Sequence, residues 1–218
     1  MGDKKSILTD TRITGLLYLG IALTGMFAFL FARSKIFVDG NAITTAANLI
    51  EKATLARQGI VFELALVIFQ ALAAVWFYKL FRKVDSFAAI LIAAFGMANA
   101  ILILIASATW LATLNASIAG DEASAVYNLF NLHETIWLVG GIFFGLWLIP
   151  MGYLALRANM PRALAWLLIA GGIGYILSTV VLVLFPEQKT ISGMLPLPAT
   201  IGEFWMVGYL LMKSKLNV

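Results

Sequence analysis

From Ser86 to Gly120 the chain carries no charged residue, and from Thr135 to Leu156 it again carries none. Runs of this length limit the possible folds more than any other feature. A bilayer core of about 30 Å is crossed by about 20 apolar residues in helical form. Inside it, only helices and closed barrels satisfy their own backbone groups. Composition agrees, with 62% hydrophobic and 12% charged residues, against about 25% charged in soluble domains. The chain is expected to be an all-α polytopic membrane bundle. It has no cysteine, which excludes disulfides and thiolate metal sites. The net charge of +4 reads as basic membrane-flanking loops, so lipids and membrane proteins are expected as partners, and nucleic acid is not.

Measured against the bilayer, the sequence divides into six spans. The first is Ile13 to Ala32. Lys4, Lys5 and Arg12 precede it as in a signal peptide, but the apolar run exceeds a signal core and no small-residue cleavage site ends it, so it is read as a retained helix. The second, Gln58 to Tyr78, is interrupted by Glu63. The third starts at Ser86, and its end near Leu114 is expected to project beyond the bilayer. The fourth follows Asn131 and runs to Arg157, the fifth is Ala163 to Phe185, and the sixth is Ile191 to Met212. Pro196 and Pro198 predict extended backbone over LPLP, dipping into the outer leaflet and shielded by protein. Between the first two spans, Ile43, Ala46, Ala47, Ile50 and Ala53 are spaced for one face of an amphipathic outer-surface helix, with Asn41 as its cap. Residues 1–218 are read as a single transmembrane domain.

Orientation follows from the basic residues. Lys4, Lys5, Arg12, Lys79, Arg82, Lys83, Arg157, Arg162, Lys213 and Lys215 fall on one side; Arg33, Lys35, Lys52, Arg57 and Lys189 fall on the other. Ten against five makes the first side cytoplasmic, with both termini inside and the Asn131 end of the fourth span outside.

Charged groups inside apolar spans are costly and ask for a reason. Glu63 lies six residues past Arg57, about 9 Å along a helix entering from outside. Gln70 shares its face, together with the small residues Gly59 and Ala74. On the fourth span Glu134 heads a stripe of Gly141, Gly145 and Gly152, suited to close helix packing. His133, the only histidine, is turned about 100° away, over Trp137. Glu203 enters from the same side on the sixth span. Depth counting therefore groups Glu63, His133, Glu134 and Glu203 in an outward-opening polar pocket, with Trp137 as its wall and Arg57 and Gln70 nearby. The plainer reading is that these groups satisfy one another at the lip of the bundle, with His133 or Arg57 pairing a carboxylate. Asn99 reads as an interhelical hydrogen bond, the Gly171, Gly172 and Gly174 cluster as packing, and Trp76, Tyr78, Tyr127 and Tyr153 as interface anchors.

The chemistry of such a group is open. A metal would be held by His133 with Glu63 and Glu203, although the HExxH spacing and a second histidine are missing. Ser107, Ser117 and Ser178 lie in no GxSxG elbow. Haem ligation by His133 has no supporting motif. A proton-coupled role is natural for an imidazole among carboxylates, and unspecific.

The run FFGLWLIPMGYLALRANMPRALAWLLIAGGIGYIL, Phe143 to Leu177, carries a resemblance. A histidine before a Phe-Phe-Gly-Leu helix, a Pro-Arg turn and a Gly-Tyr helix match His133, Phe143 to Leu146, Pro161 with Arg162, and Gly174 with Tyr175. Gly202 with Glu203, Gly15 to Tyr18, and Arg57 also fit. Together these residues resemble a family of bacterial six-helix membrane proteins defined only as a domain of unknown function. Where an aspartate is often expected in its second helix, this chain has Glu63, which keeps the charge and lengthens the reach. The resemblance implies six helices and a bacterial membrane, read here as the cytoplasmic (inner) one, and supplies no activity. Residues and resemblance together lead us to expect a site for a lipid or small amphiphile in the outer leaflet. The alternatives are a membrane-embedded enzyme with a His/carboxylate site, and a helper subunit or homo-oligomer packing through its glycine seams. No cofactor is assigned.

Overall fold

The computed structural model describes residues 2–212, with side chains from Thr9 onward. Its helices are α1 (Gly2–Met26), α2 (Ala42–Glu51), α3 (Ala53–Phe81), α4 (Ser86–Ala119), α5 (Ala123–Arg157), α6 (Arg162–Leu184), α7 (Lys189–Met194) and α8 (Leu197–Met212). A π-helical turn, Phe27–Ala32, and a 3₁₀ turn, Arg33–Lys35, continue α1. No strand occurs among the described residues. Six helical segments are long and apolar enough to cross a membrane: Thr9–Lys35, Ala53–Phe81, Ser86–Ala119, Ala123–Arg157, Arg162–Leu184 and Lys189–Met212. The protein is a membrane-spanning helical bundle, as the uncharged runs require.

Local chemistry sets the helix boundaries. The Asn41 side chain accepts from the Thr44 N–H at 2.9 Å and opens α2, satisfying one of the donors a helix start leaves free. Asp85 does the same for α4, its Oδ1 accepting from the Ala88 N–H at 3.1 Å while the Tyr153 hydroxyl donates to Oδ2 at 3.2 Å. The Ala88 N–H is the main reason the Asp85 carboxyl titrates below the ordinary carboxylate range. Between α5 and α6 the chain turns through Asn159 at φ 54°, a left-handed position that asparagine tolerates.

The structure overturns one expectation about the fold, at LPLP, and adds detail at α2, Tyr127 and Asn99. The face that α2 turns to protein is Thr45 and Leu49, with Ile43 and Ile50 exposed. Thr45 can be buried because its hydroxyl exchanges hydrogen bonds with the Val38 backbone, at 3.1 and 3.3 Å. The LPLP segment is not extended backbone: Leu195 and Pro196 form a turn between α7 and α8, and Leu197 and Pro198 already belong to α8, with Leu195 at φ −59°, ψ −38° and Pro196 C=O accepting from Ala199 N–H at 2.9 Å. Proline has no N–H to lose in the first turn of a helix, so Pro196 and Pro198 start α8 instead of preventing it. Tyr127 is more than an interface anchor, since its hydroxyl accepts the Gly40 N–H at 2.7 Å. Buried Asn99 leaves its side-chain Nδ2 unpartnered.

The chain forms two compact units. One contains residues 20–69 and 100–139, the other residues 1–19, 70–99 and 140–218. In the first, Ala32, Ile36, Leu49, Ala56, Ile60, Trp110, Leu114, Val126 and Phe130 form a buried core. In the second, α5 and α6 meet backbone to backbone. A Cβ at Gly145 would overlap the Gly172 carbonyl oxygen, and one at Gly152 would meet the Ala165 carbonyl. The Leu195 carbonyl packs onto Gly174, and the Ala199 backbone onto Gly171. Gly145 and Gly152 of the α5 stripe share one seam with Gly172 and Ala165 of α6, whereas Gly171 and Gly174 form a second seam with residues 195–199, and small residues in both allow the contact that dispersion rewards.

Replacing Gly145 by Leu should destabilise the protein by about 1–3 kcal/mol or prevent folding. Gly193→Ala, where no atom lies within 4 Å, should be neutral. Thermal unfolding in detergent reads both. For Asp85 the folded carboxyl titrates below its unfolded value, so its stabilisation is fully present above the unfolded pKa and is lost as pH falls through the folded one. Asp85→Asn should flatten this part of an acid melting series.

Candidate functional site

At the end of the first span the helix widens into the π turn Phe27–Ala32, a form common where function interrupts a regular helix. The turn brings Arg33 over the Phe29 ring, with Cζ 5.0 Å from its centroid, a favourable cation–π placement. The Arg33 guanidinium donates to Glu134 Oε2. From there a row of polar groups runs inward. Glu134 Oε1 lies 3.2 Å from His133 Nδ1, and His133 Nε2 lies 2.8 Å from Glu63 Oε1. The Trp137 indole N–H donates to the same Glu63 oxygen at 3.1 Å. Arg33 and Glu134 retain 28% and 20% side-chain exposure, whereas His133 and Glu63 are buried.

Aromatic rings enclose the imidazole. Trp110 and Phe130 have centroids 5.3 and 5.4 Å from it, and Trp137 stands edge-on against Phe29 at 4.2 Å. Gly59, one turn before Glu63, lies directly beneath the Trp110 ring, where a Cβ would overlap its edge. Both imidazole nitrogens face carboxylate oxygens. The Trp137 N–H also reaches His133 Nε2, at 3.2 Å. Arg33, Glu134, His133 and Glu63 thus form one row in which each group has a partner, which is how charged groups survive in an apolar interior.

Two buried polar atoms stay unsatisfied here: Glu63 Oε2, an acceptor, and Trp110 Nε1, a donor. Such atoms are rare in folded proteins and each calls for an explanation.

Among the residues expected at a site, Glu63, His133, Glu134 and Trp137 come together. Arg57 is exposed on α3, and Arg33 is the cation that pairs with Glu134. Gln70 is buried in the other unit, its side chain reaching the Gly96 carbonyl at 3.5 Å. Glu203 also belongs to that unit, where it accepts from the Tyr18 hydroxyl at 2.7 Å. Tyr18 is buried there against Phe77 and Trp147, with centroids at 5.3 and 6.1 Å. Among the described residues no group of three or more His, Cys, Asp or Glu is placed to hold a metal ion. Sequence reasoning missed Arg33 and Trp110. Arg33 left a usable signal as the first charge after the first span, on the same side as Glu134. Trp110 left none, because an indole in an apolar run reads as packing.

The Arg33–Glu134 pair can be isolated by a double-mutant cycle. Arg33→Ala, Glu134→Ala and the double variant should give a coupling of about 1–2 kcal/mol in thermal or denaturant unfolding, above the fraction of a kcal/mol usual for a surface pair.

Comparison with known proteins adds one finding. No curated protein and no solved structure matches the chain. Residues 13–214 match a family model, a range that reaches into all six apolar segments. The chain belongs to the family described as Domain of unknown function (DUF4386).

Proposed function

We propose that the row from Arg33 to Glu63 is the polar end of a binding site, facing outward in the outer leaflet of a bacterial cytoplasmic membrane, for a lipid or small amphiphile. The observation that carries this reading is Glu63 Oε2, a buried carboxylate oxygen with no hydrogen-bond partner. A buried acceptor left unmade costs about 1–3 kcal/mol, and a ligand that donates to it recovers that cost on binding. The rest of the arrangement supports the same role. Glu134 and Arg33 hold His133 from one side, and His133 and Trp137 hold the other Glu63 oxygen, so Oε2 is presented in a fixed position. Preorganisation of this kind lowers the entropic cost of binding. Apolar side chains exposed on the same elements, among them Leu30, Phe31, Val61 and Leu64, suit an acyl chain lying beside the head group. The excess of basic residues on the opposite side supports the outward orientation.

Glu63→Gln keeps the side-chain volume and changes the acceptor, and His133→Ala releases it. Each should lower the amount of co-purifying amphiphile by about fivefold or more, the equivalent of one hydrogen bond of about 1 kcal/mol. Helical circular dichroism should stay unchanged. Native mass spectrometry of protein released from membranes measures the bound fraction, and an unchanged lipid complement in both variants overturns the proposal.

A further inference from the structure

Positive charge that the protein does not answer gathers at one end of the second compact unit. There the turn between α3 and α4 carries Arg82 and Lys83, and the turn between α5 and α6 is flanked by Arg157 and Arg162. Tyr153 ties the two turns together. Its hydroxyl donates to Asp85 Oδ2 at 3.2 Å and accepts from Arg157 Nη1 at 3.3 Å, and Arg157 Cζ stands 5.8 Å from the centroid of its ring. Asp85 follows directly on Arg82, Lys83 and Val84, so cations from both turns are brought close together.

All four basic side chains are exposed. Among the described residues, Arg82, Lys83 and Arg162 make no side-chain hydrogen bond or ion pair. Tyr153 occupies only part of the guanidinium of Arg157, which carries five N–H donors. The described carboxylates at this end are already engaged: Asp85 caps α4 and accepts from Tyr153, and Asp10 pairs with Lys79 at 2.7 Å.

Exposed charge of this kind acts over a Debye length of about 8 Å and needs no enclosed cavity. At the end of a membrane-spanning bundle, what it meets is the lipid surface. Arginine and lysine both bind phosphate oxygens, and clusters of them beside membrane spans attract anionic lipid. Apolar rings continue the patch toward the bilayer. Trp166 lies one turn after Arg162 on the same face of α6 and is 60% exposed, and Phe87, in the first turn of α4, is 70% exposed. An indole flanking basic residues suits the head-group level of a membrane. A soluble anion would use the cations and leave both rings uncovered, whereas a zwitterionic head group would bring an ammonium against the patch.

We infer that these two turns form a binding patch for an anionic phospholipid, its phosphodiester group drawn to Arg82, Lys83, Arg157 and Arg162 and its acyl chains lying along Trp166 and Phe87. The patch is independent of the site proposed around Glu63, which belongs to the other unit.

The test uses the full-length protein in detergent with lipid removed, titrated with phosphatidylglycerol, phosphatidylcholine, glycerol 3-phosphate and a hexaglutamate peptide, and followed by native mass spectrometry and thermal shift. Phosphatidylglycerol should bind at least about tenfold more tightly than phosphatidylcholine, since each basic residue near the lipid surface is worth about fivefold. The preference should shrink as salt rises from about 50 to about 500 mM. Arg82→Gln with Arg162→Gln, one exposed cation from each turn, should lower phosphatidylglycerol affinity about tenfold or more and leave phosphatidylcholine unchanged. Lys35→Gln with Arg57→Gln removes the same charge from exposed positions in the other unit and should change neither. Equal binding of the two lipids overturns the inference, and so does an equal loss in both double variants, which would reduce the effect to net charge. Glycerol 3-phosphate binding as tightly as phosphatidylglycerol assigns the patch to a soluble phosphate, and tighter binding of hexaglutamate assigns it to an acidic protein segment; either result overturns the lipid assignment.

Discussion

A polypeptide crossing hydrocarbon has no solvent to hydrogen-bond its backbone, and every other feature of this protein depends on meeting that demand internally. Helices meet it residue by residue. The places where the helices stop or change pitch are therefore the places where something else must supply a partner. Asn41 and Asp85 supply it at helix starts. Thr45 supplies it to the Val38 backbone, and Tyr127 to the Gly40 N–H. Pro196 and Pro198 avoid the demand by standing where no N–H is required. Even the LPLP segment, which reads as a helix breaker, is absorbed in this way.

Once helices are obligatory, their association has to come from close packing, because lipid tails are as apolar as leucine. The seam between α5 and α6 shows how that is achieved. Gly145 and Gly172 face each other so closely that neither can carry a Cβ, and Gly152, Gly171 and Gly174 extend the same kind of contact to Ala165, Ala199 and Leu195. The polar row in the other unit works against a different cost. Glu63 and His133 are buried, and isolated charges there would be expelled or neutralised. Linking them through Glu134 to a partly exposed Arg33 gives each a partner and ties the outer end of the row to a residue that still meets the surface. What remains unsatisfied, Glu63 Oε2 and Trp110 Nε1, stands out because everything around it is satisfied.

Much of this is legible in the sequence, for identifiable reasons. Long uncharged runs mark spans because a single charge at mid-membrane costs several kcal/mol, so six helices could be counted directly. The glycine stripe on α5 is legible because helical periodicity places Gly141, Gly145 and Gly152 on one line. The pairing of Glu63 with His133 was approachable because both are costly at the same depth. Depth, however, is one coordinate out of three. It put Glu203 level with Glu63 but carried no information on the direction in which either points, and Glu203 is engaged by Tyr18. It likewise favoured Arg57, on the same helix as Glu63, over Arg33. The π turn that swings Arg33 over Phe29 has no pattern in FAFLFA to announce it.

The sequence by itself determined the class, the number of spans and the short list of polar residues that need an account, since each follows from one-dimensional bookkeeping of hydropathy, charge and helical period. Only the tertiary structure decided which of those residues meet. It chose Arg33 as partner to Glu134, enclosed His133 between two carboxylates, and left one oxygen of Glu63 and the nitrogen of Trp110 without partners. The physical reason is that hydrogen bonds act over about 3 Å and depend on direction, so they are set by how helices rotate and pack against each other, which spacing along a chain does not encode.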